Sequence, residues 1–174
     1  LPDVPPIWKE RLARAVSNPI AQELKNWGIR VVAPRHRVGV AVVVGDGNGR
    51  VLLLRHVFHA EFPWGLPGGW LMANEDPSLG ARRELREETG LAAETMKPIF
   101  IWHETRPPHL GIVFQTTLHP RPMTLSAEIL EASWFQVDSL PETATPYAQK
   151  AVAAAFGLVA DPSERRIKMS HGEQ

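Results

Sequence analysis

The chain contains no cysteine, which excludes disulfides, thiolate nucleophiles and thiolate metal sites and points to a reducing compartment. Any metal must be held by oxygen or imidazole. It also lacks an excess of either charge. Its 19 basic and 19 acidic residues leave a formal net charge of zero, so no global field draws it onto polynucleotide or an acidic membrane surface. No apolar run approaches the length that crosses a bilayer, residues 1–11 show no basic segment followed by an apolar one, and there is no internal repeat. A cytoplasmic protein with neither a nucleic-acid nor a membrane partner is therefore expected.

At 174 residues the chain suits one domain with terminal appendages. Ile7, Trp8, Leu12, Ala15 and Val16 recur at helical spacing, and Asn18-Pro19 reads as a helix start. Two short helices ending at Gly28 make residues 1–28 a helical extension, one that could cover the core or build a homodimer. The β-branched runs 29–33, 38–44 and 51–57 surround the turn-rich Gly45-Asp46-Gly47-Asn48-Gly49, which predicts a hairpin of buried strands. Asp76-Pro77 opens a helix over 78–89 that stops at Gly90. Strands follow at 98–103, 111–118 and 132–137, then a closing Ala-rich helix at 146–156. This order predicts an α+β domain with a mixed sheet over residues 29–160, followed by a polar tail, 161–174.

Chemistry concentrates in one segment. On a helix advancing about 100° per residue, Glu84, Glu87 and Glu88 share a face. Like charges at these spacings repel, so the cluster is unfavourable unless something positive sits over it. A bare Glu-x-x-Glu-Glu is usually a solvated surface. Here Ala81 and Leu85 supply an apolar stripe beside it, which places the carboxylates at the rim of the fold. Mg²⁺, with Mn²⁺ as a substitute, is the cation suited to a few carboxylates plus water and phosphate.

From Gly69 through Glu75, Arg83, Glu84, Leu85, Glu87, Glu88 and Gly90 to Leu91, the sequence resembles the Nudix box, G-x5-E-x7-R-E-U-x-E-E-x-G-U with U apolar, at every specified position. At ordinary residue frequencies a chance match is on the order of one in a billion per starting point. The resemblance implies an α/β/α sandwich around a mixed sheet and hydrolysis of a nucleoside diphosphate linked to a second group. It also implies divalent ions held by Glu84, Glu87 and Glu88 with the backbone carbonyl of Gly68. Arg83 would orient the glutamates and reach Glu75. Family members differ in whether the water-activating base is a box glutamate or a later loop acid. Glu128 is the preferred loop candidate, since Glu131 lies nearer the strand ending in Trp134-Phe135.

Selectivity must come from outside the box. Gly65, Gly68 and Gly69 around Pro67 suit turns or a backbone that approaches metal or phosphate closely. Arg55, His56 and His59 follow the strand before the box, and Trp64 and Trp70 flank the glycines; phosphate contacts and base stacking are the roles their chemistry suggests. Arg55, His59 and Trp70 are the substrate-contact candidates. Pro107 joins them because some ADP-ribose pyrophosphatases of the family carry a proline at this distance beyond the box. ADP-ribose or an ADP-sugar is the expected substrate, ahead of a nucleoside triphosphate. A non-catalytic ligand sensor is disfavoured by the intact box, and an RNA 5′ end by the neutral charge.

Overall fold

The computed structural model describes residues 23, 37–58, 60–105 and 108–158. The chain divides into two compact units, Leu1–Arg35 and His36–Gln174, and all described residues but Glu23 belong to the second. The expected N-terminal helices, the strand at 29–33 and the polar tail lie outside the described residues.

The second unit is a mixed seven-stranded sheet between two helices. Its strands are β1 (Arg37–Gly45), β2 (Arg50–His56), β3 (Trp64–Gly65), β4 (Gly68–Trp70), β5 (Lys97–Thr105), β6 (Pro108–Thr117) and β7 (Ile129–Gln136). The helices are α1 (Pro77–Thr89) and α2 (Pro146–Ala155). Alternation along β1 sends Val40, Val42 and Val44 to one core, with Ala81 and Leu85 of α1. Ala41 and Val43 go to a second core, with Ala148, Ala151 and Val152 of α2. A strand buried on both faces reads as a continuous apolar run, which is why Val38–Val44 shows no polar alternation. The α+β domain with a mixed sheet read from the element order, and the α/β/α layering that the resemblance implies, are the ones observed.

The hairpin is different from the expectation. Asp46 does close a tight turn, accepting the N–H groups of Asn48 (2.7 Å) and Arg50 (3.0 Å) and pairing with the Arg50 guanidinium at 2.6 Å. Yet β1 and β2 are in register only at Gly45 and Val51 and then part. From there β1 runs parallel to β6 along its whole length and antiparallel to β4, while β2 pairs with β3 and β7. The glycine segment, read from the sequence as turn or as backbone that approaches metal or phosphate closely, supplies β3 and β4 and fills the gap. Val42 N–H donates to Pro67 O at 2.8 Å and His56 N–H to Pro63 O at 2.8 Å.

Gly68 is where backbones approach most closely. A Cβ there would run into the carbonyl oxygen of Val40 and come within 2.7 Å of Ala41 Cα, and neither backbone atom can swing aside. Gly68→Ala should therefore cost about 1–3 kcal/mol, the range for overpacking a filled site. A urea unfolding midpoint equal to that of the unaltered protein would contradict this packing.

Candidate active site

Helix α1 is built to hold carboxylates still. Asp76 caps it, accepting from Ser78 N–H (2.9 Å) and Leu79 N–H (3.2 Å), with Pro77 opening the first turn. Gly90, at φ 71°, ends it with its N–H on Arg86 O. Ala81 and Leu85 are fully buried on the sheet, so Glu84 and Glu88 emerge at the edge of that contact. Glu88 is only 8% exposed, and its Oε2 accepts the Gly68 N–H at 2.8 Å. Glu84 lies under Gly69, where a Cβ would sit 2.5 Å from its Oε2.

Arg83 organises the rest. Its Nε and Nη2 form a fork on Glu75 at 2.8 and 3.0 Å, Nη2 also reaches Trp70 O at 3.0 Å, and Nη1 meets Glu84 at 2.7 Å and Glu87 at 3.3 Å. Glu75 in turn accepts the Met72 N–H at 2.9 Å, closing the loop before the helix. Two of the three helical glutamates are thus directed at Arg83. Among the described residues no three carboxylate or imidazole groups are gathered as a ready-made ligand set. The three glutamates form a row on one helix, with Glu84 and Glu87 sharing Arg83 and Glu88 turned to the Gly68 N–H.

Electrostatics separates these carboxylates. Hydrogen bonding to Arg83 holds Glu75 down at about 2. Burial raises Glu84, against the opposing hydrogen bond from Arg83. Burial pushes Glu88 up to about 8, with the charges of Glu84, Glu128 and Glu87 adding to it and the Gly68 N–H opposing. Arg83 is driven above its already high value by Glu75 and stays charged.

The carboxylates open onto a cavity of about 910 Å³, within the size range of small-molecule sites. Gly68, Trp70, Arg83 and Glu128 line it, as do His56 and Glu104. Glu128 is exposed at its rim, but its backbone is fixed: its carbonyl accepts Val57 N–H at 2.9 Å, and nearby Ser126 N–H donates to Glu88 O at 3.2 Å. The loop acid thus stands on an anchored backbone with its side chain exposed. Arg55 does not line the cavity; it faces Glu131 at 3.5 Å across the β2–β7 ladder. Trp64 packs edge-on against Phe135 at 5.0 Å in the core. His59 and Pro107 lie outside the described residues. Sequence reading did not single out Trp102, Glu104, His109 or Tyr147, all in the cavity wall. The one signal available was the i, i+2 spacing of Trp102 and Glu104 on a single strand.

The Nudix domain family model matches residues 35–155. A MutT-like protein of Streptomyces ambofaciens is 33% identical over 109 residues, which is 63% of this chain and 70% of that protein. An ADP-ribose pyrophosphatase of Mycobacterium tuberculosis is 45% identical over 64 residues, 34% of this chain and 30% of that protein. The fold is shared with a MutT Nudix hydrolase of Burkholderia pseudomallei at TM-score 0.62 and 23% identity, covering 70% of this chain and 98% of that one. It is shared also with the Nudix domain of Shewanella oneidensis NrtR, solved with ADP ribose, at TM-score 0.65 and 17% identity over 80% of this chain and 98% of that one. With the box complete on α1 and the family match spanning most of the chain, the protein belongs to the Nudix hydrolase family, enzymes that hydrolyse pyrophosphate bonds.

A raised carboxylate favours folding only while it is protonated. The Glu88 contribution is present below its ordinary value of 4.5 and is lost as pH rises towards about 8. Glu75 acts oppositely, stabilising above 4.5 and losing that effect as pH falls towards about 2. In chelator, the melting temperature should therefore fall between about pH 5 and about pH 8, and Glu88→Gln should flatten the decline. Parallel profiles for the two proteins would remove Glu88 as its source.

Proposed function

We propose that the chain cleaves the pyrophosphate bond of a nucleoside diphosphate linked to a second group, with ADP-ribose or an ADP-sugar as the substrate. The observation that carries this reading is the row of box carboxylates on α1 opening onto a cavity large enough for such a molecule. The donor set suits Mg²⁺ or Mn²⁺: it is all oxygen, and the buried Glu88 and half-buried Glu84 among like charges gain from added positive charge. Glu84, Glu87 and Glu88, with the Gly68 carbonyl, would hold the ion. When bound, it supplies Lewis-acid polarisation of the phosphate oxygens and offsets the charge that develops as the bond breaks.

The protein's own residues do the positioning. Arg83 keeps Glu84 and Glu87 at fixed angles and ties them to the Glu75 loop, so its role is orientation and not proton transfer. Glu128, exposed at the rim of the cavity and electrostatically coupled to Glu88, can take the proton of the attacking water as general base. Its fixed backbone and free side chain suit a group that engages water only once the diphosphate is in place.

The choice of an ADP-linked substrate is supported by the matched segment of the mycobacterial ADP-ribose pyrophosphatase. A nucleotide joined to a different group is also the substrate type in the name of a relative from Streptomyces rubellomurinus. That protein, a CMP-5′-(N-acetyl-N-hydroxy-3-aminopropyl)phosphonate hydrolase, is 29% identical over 68% of this chain, and the chain spans 61% of its length. Triphosphate hydrolysis is kept as the second reading.

In a panel of nucleoside-diphosphate sugars, dinucleotides and triphosphates, ADP-ribose or an ADP-sugar should give AMP and a sugar phosphate with the highest kcat/KM. Faster release of pyrophosphate from a triphosphate would favour the second reading. Activity should vanish in excess chelator, and Glu84→Gln or Glu88→Gln should lower kcat by at least ~10²-fold.

Glu128→Gln should lower kcat by ~10²–10⁴-fold with KM nearly constant. Glu131→Gln, which alters an exposed pair with Arg55 and an exposed hydrogen bond from the Ser133 hydroxyl, should do far less. An unaltered kcat for Glu128→Gln would return the base to a box glutamate.

A further inference from the structure

The cavity wall away from the carboxylates is made of rings, and the sheet register explains how they come together. Trp70 on β4 is partnered with Gly39 on β1, Gly39 with Gly111 on β6, and Gly111 with Trp102 on β5. Residues in register direct their side chains to the same face, so four neighbouring strands carry Trp, Gly, Gly, Trp in one row. The two glycines leave its centre bare. A Cβ on Gly39 would touch the Trp70 ring at 3.7 Å, and a Cβ on Gly111 would overlap the Trp102 ring. Each indole therefore leans inward over its neighbouring glycine.

His109, two residues before Gly111 and so on the same face, stands edge-on to both indoles, 5.0 Å from Trp70 at 76° and 6.0 Å from Trp102 at 85°. Beneath this layer Tyr147 of α2 stacks on Trp102 at 4.8 Å and 12°, and its hydroxyl oxygen accepts the Leu66 N–H. Leu66 lies in the segment that leads to Gly68, so the ring wall adjoins the loop that touches Glu88.

Packing accounts for only part of this cluster. Trp102 and Tyr147 rest against the α2-side core. Trp70 belongs to neither core, is 45% exposed and lines the cavity. The Arg37 guanidinium lies over the Trp70 ring, 5.8 Å from its centroid, and the indole surface that Trp70 still presents to the cavity is suited to a planar ligand, because base stacking on aromatic side chains is tolerant of base identity and strengthens binding roughly tenfold to a hundredfold.

We propose that Trp70, Trp102 and His109, backed by Tyr147, form the seat of the substrate's nucleobase. The assignment rests on the nucleotide substrate proposed above and extends it to the residues that recognise the base. In its simplest form, nucleoside monophosphates lack a pyrophosphate bond to cleave, so binding to the full chain with Mg²⁺ present tests the seat apart from catalysis.

Calorimetric titration with AMP, GMP, CMP and UMP should show at least one bound ~10-fold or more tighter than ribose 5-phosphate, which has no base. Trp70→Leu and Trp102→Leu should each erase most of that preference while leaving the affinity for ribose 5-phosphate in place. Trp70 is outside both cores, so its variant remains informative if Trp102→Leu does not fold. Equal binding of ribose 5-phosphate and all four nucleotides, or an undiminished preference in the folded variants, overturns the seat. A base preference in a protein that hydrolyses no diphosphate would overturn the proposed function and leave the seat standing.

Discussion

The structure depends on the wedge that residues 65–68 drive between β1 and β2. Two strands joined by a tight turn would ordinarily zip along their full length. Here they hold register only at Gly45 and Val51, because the wedge takes the Val42 N–H through Pro67 O and lays Gly68 against Val40 and Ala41. β3 and β4 take the place of the missing pairs, and the cavity beside them is lined from both helices, by Glu88 of α1 and Tyr147 of α2. Across this cavity Glu88 of α1, on one face, comes close enough to α2, on the other, for its charge to add to the upward push that burial gives the Tyr147 hydroxyl. A fully paired hairpin would separate the carboxylates from the ring wall.

Charge is the second constraint. Arg83 satisfies Glu75 with a fork and shares its remaining donors among Glu84, Glu87 and a backbone carbonyl. It does not reach Glu88, whose Oε2 has only the Gly68 N–H as its donor in this set. The site is thereby divided into a half with a fixed counter-charge and a half that is buried and short of one. Such an arrangement stores unfavourable electrostatics that an added cation relieves, which is how a site can bind firmly without a complete cage of its own.

The box on α1 was legible from local order alone, because the helix, its cap and its glycine stop are encoded within residues 69–91. The strands were legible too, since runs such as Val38–Val44 admit few alternatives. Their partners were not: β1 looks outward from a turn to β2, and nothing near it in sequence announces β6. The same gap between local signal and distant pairing led to Arg55 being chosen for the cavity, when its strand carries it to Glu131. The ring wall was hidden for a like reason. Trp70, His109, Trp102 and Tyr147 come from four elements, and only the register of the sheet brings them to one row. Glu128 was singled out through family resemblance, and the anchoring of its backbone became visible only in the hydrogen bonds around it.

The parallel ladder between residues 37–45 and 109–117 also governs the order in which the molecule can be made. Contacts between distant parts of a chain form late, after the entropy of closing the intervening loop has been met. Helix α1 can organise its carboxylates from neighbours in sequence, whereas β1 has no long partner until β6 has been synthesised. On a ribosome the acidic row would thus exist before the wall that faces it, with the bare, apolar edge of β1 waiting in between. That interval is when the chain is most exposed to pairing with the wrong strand.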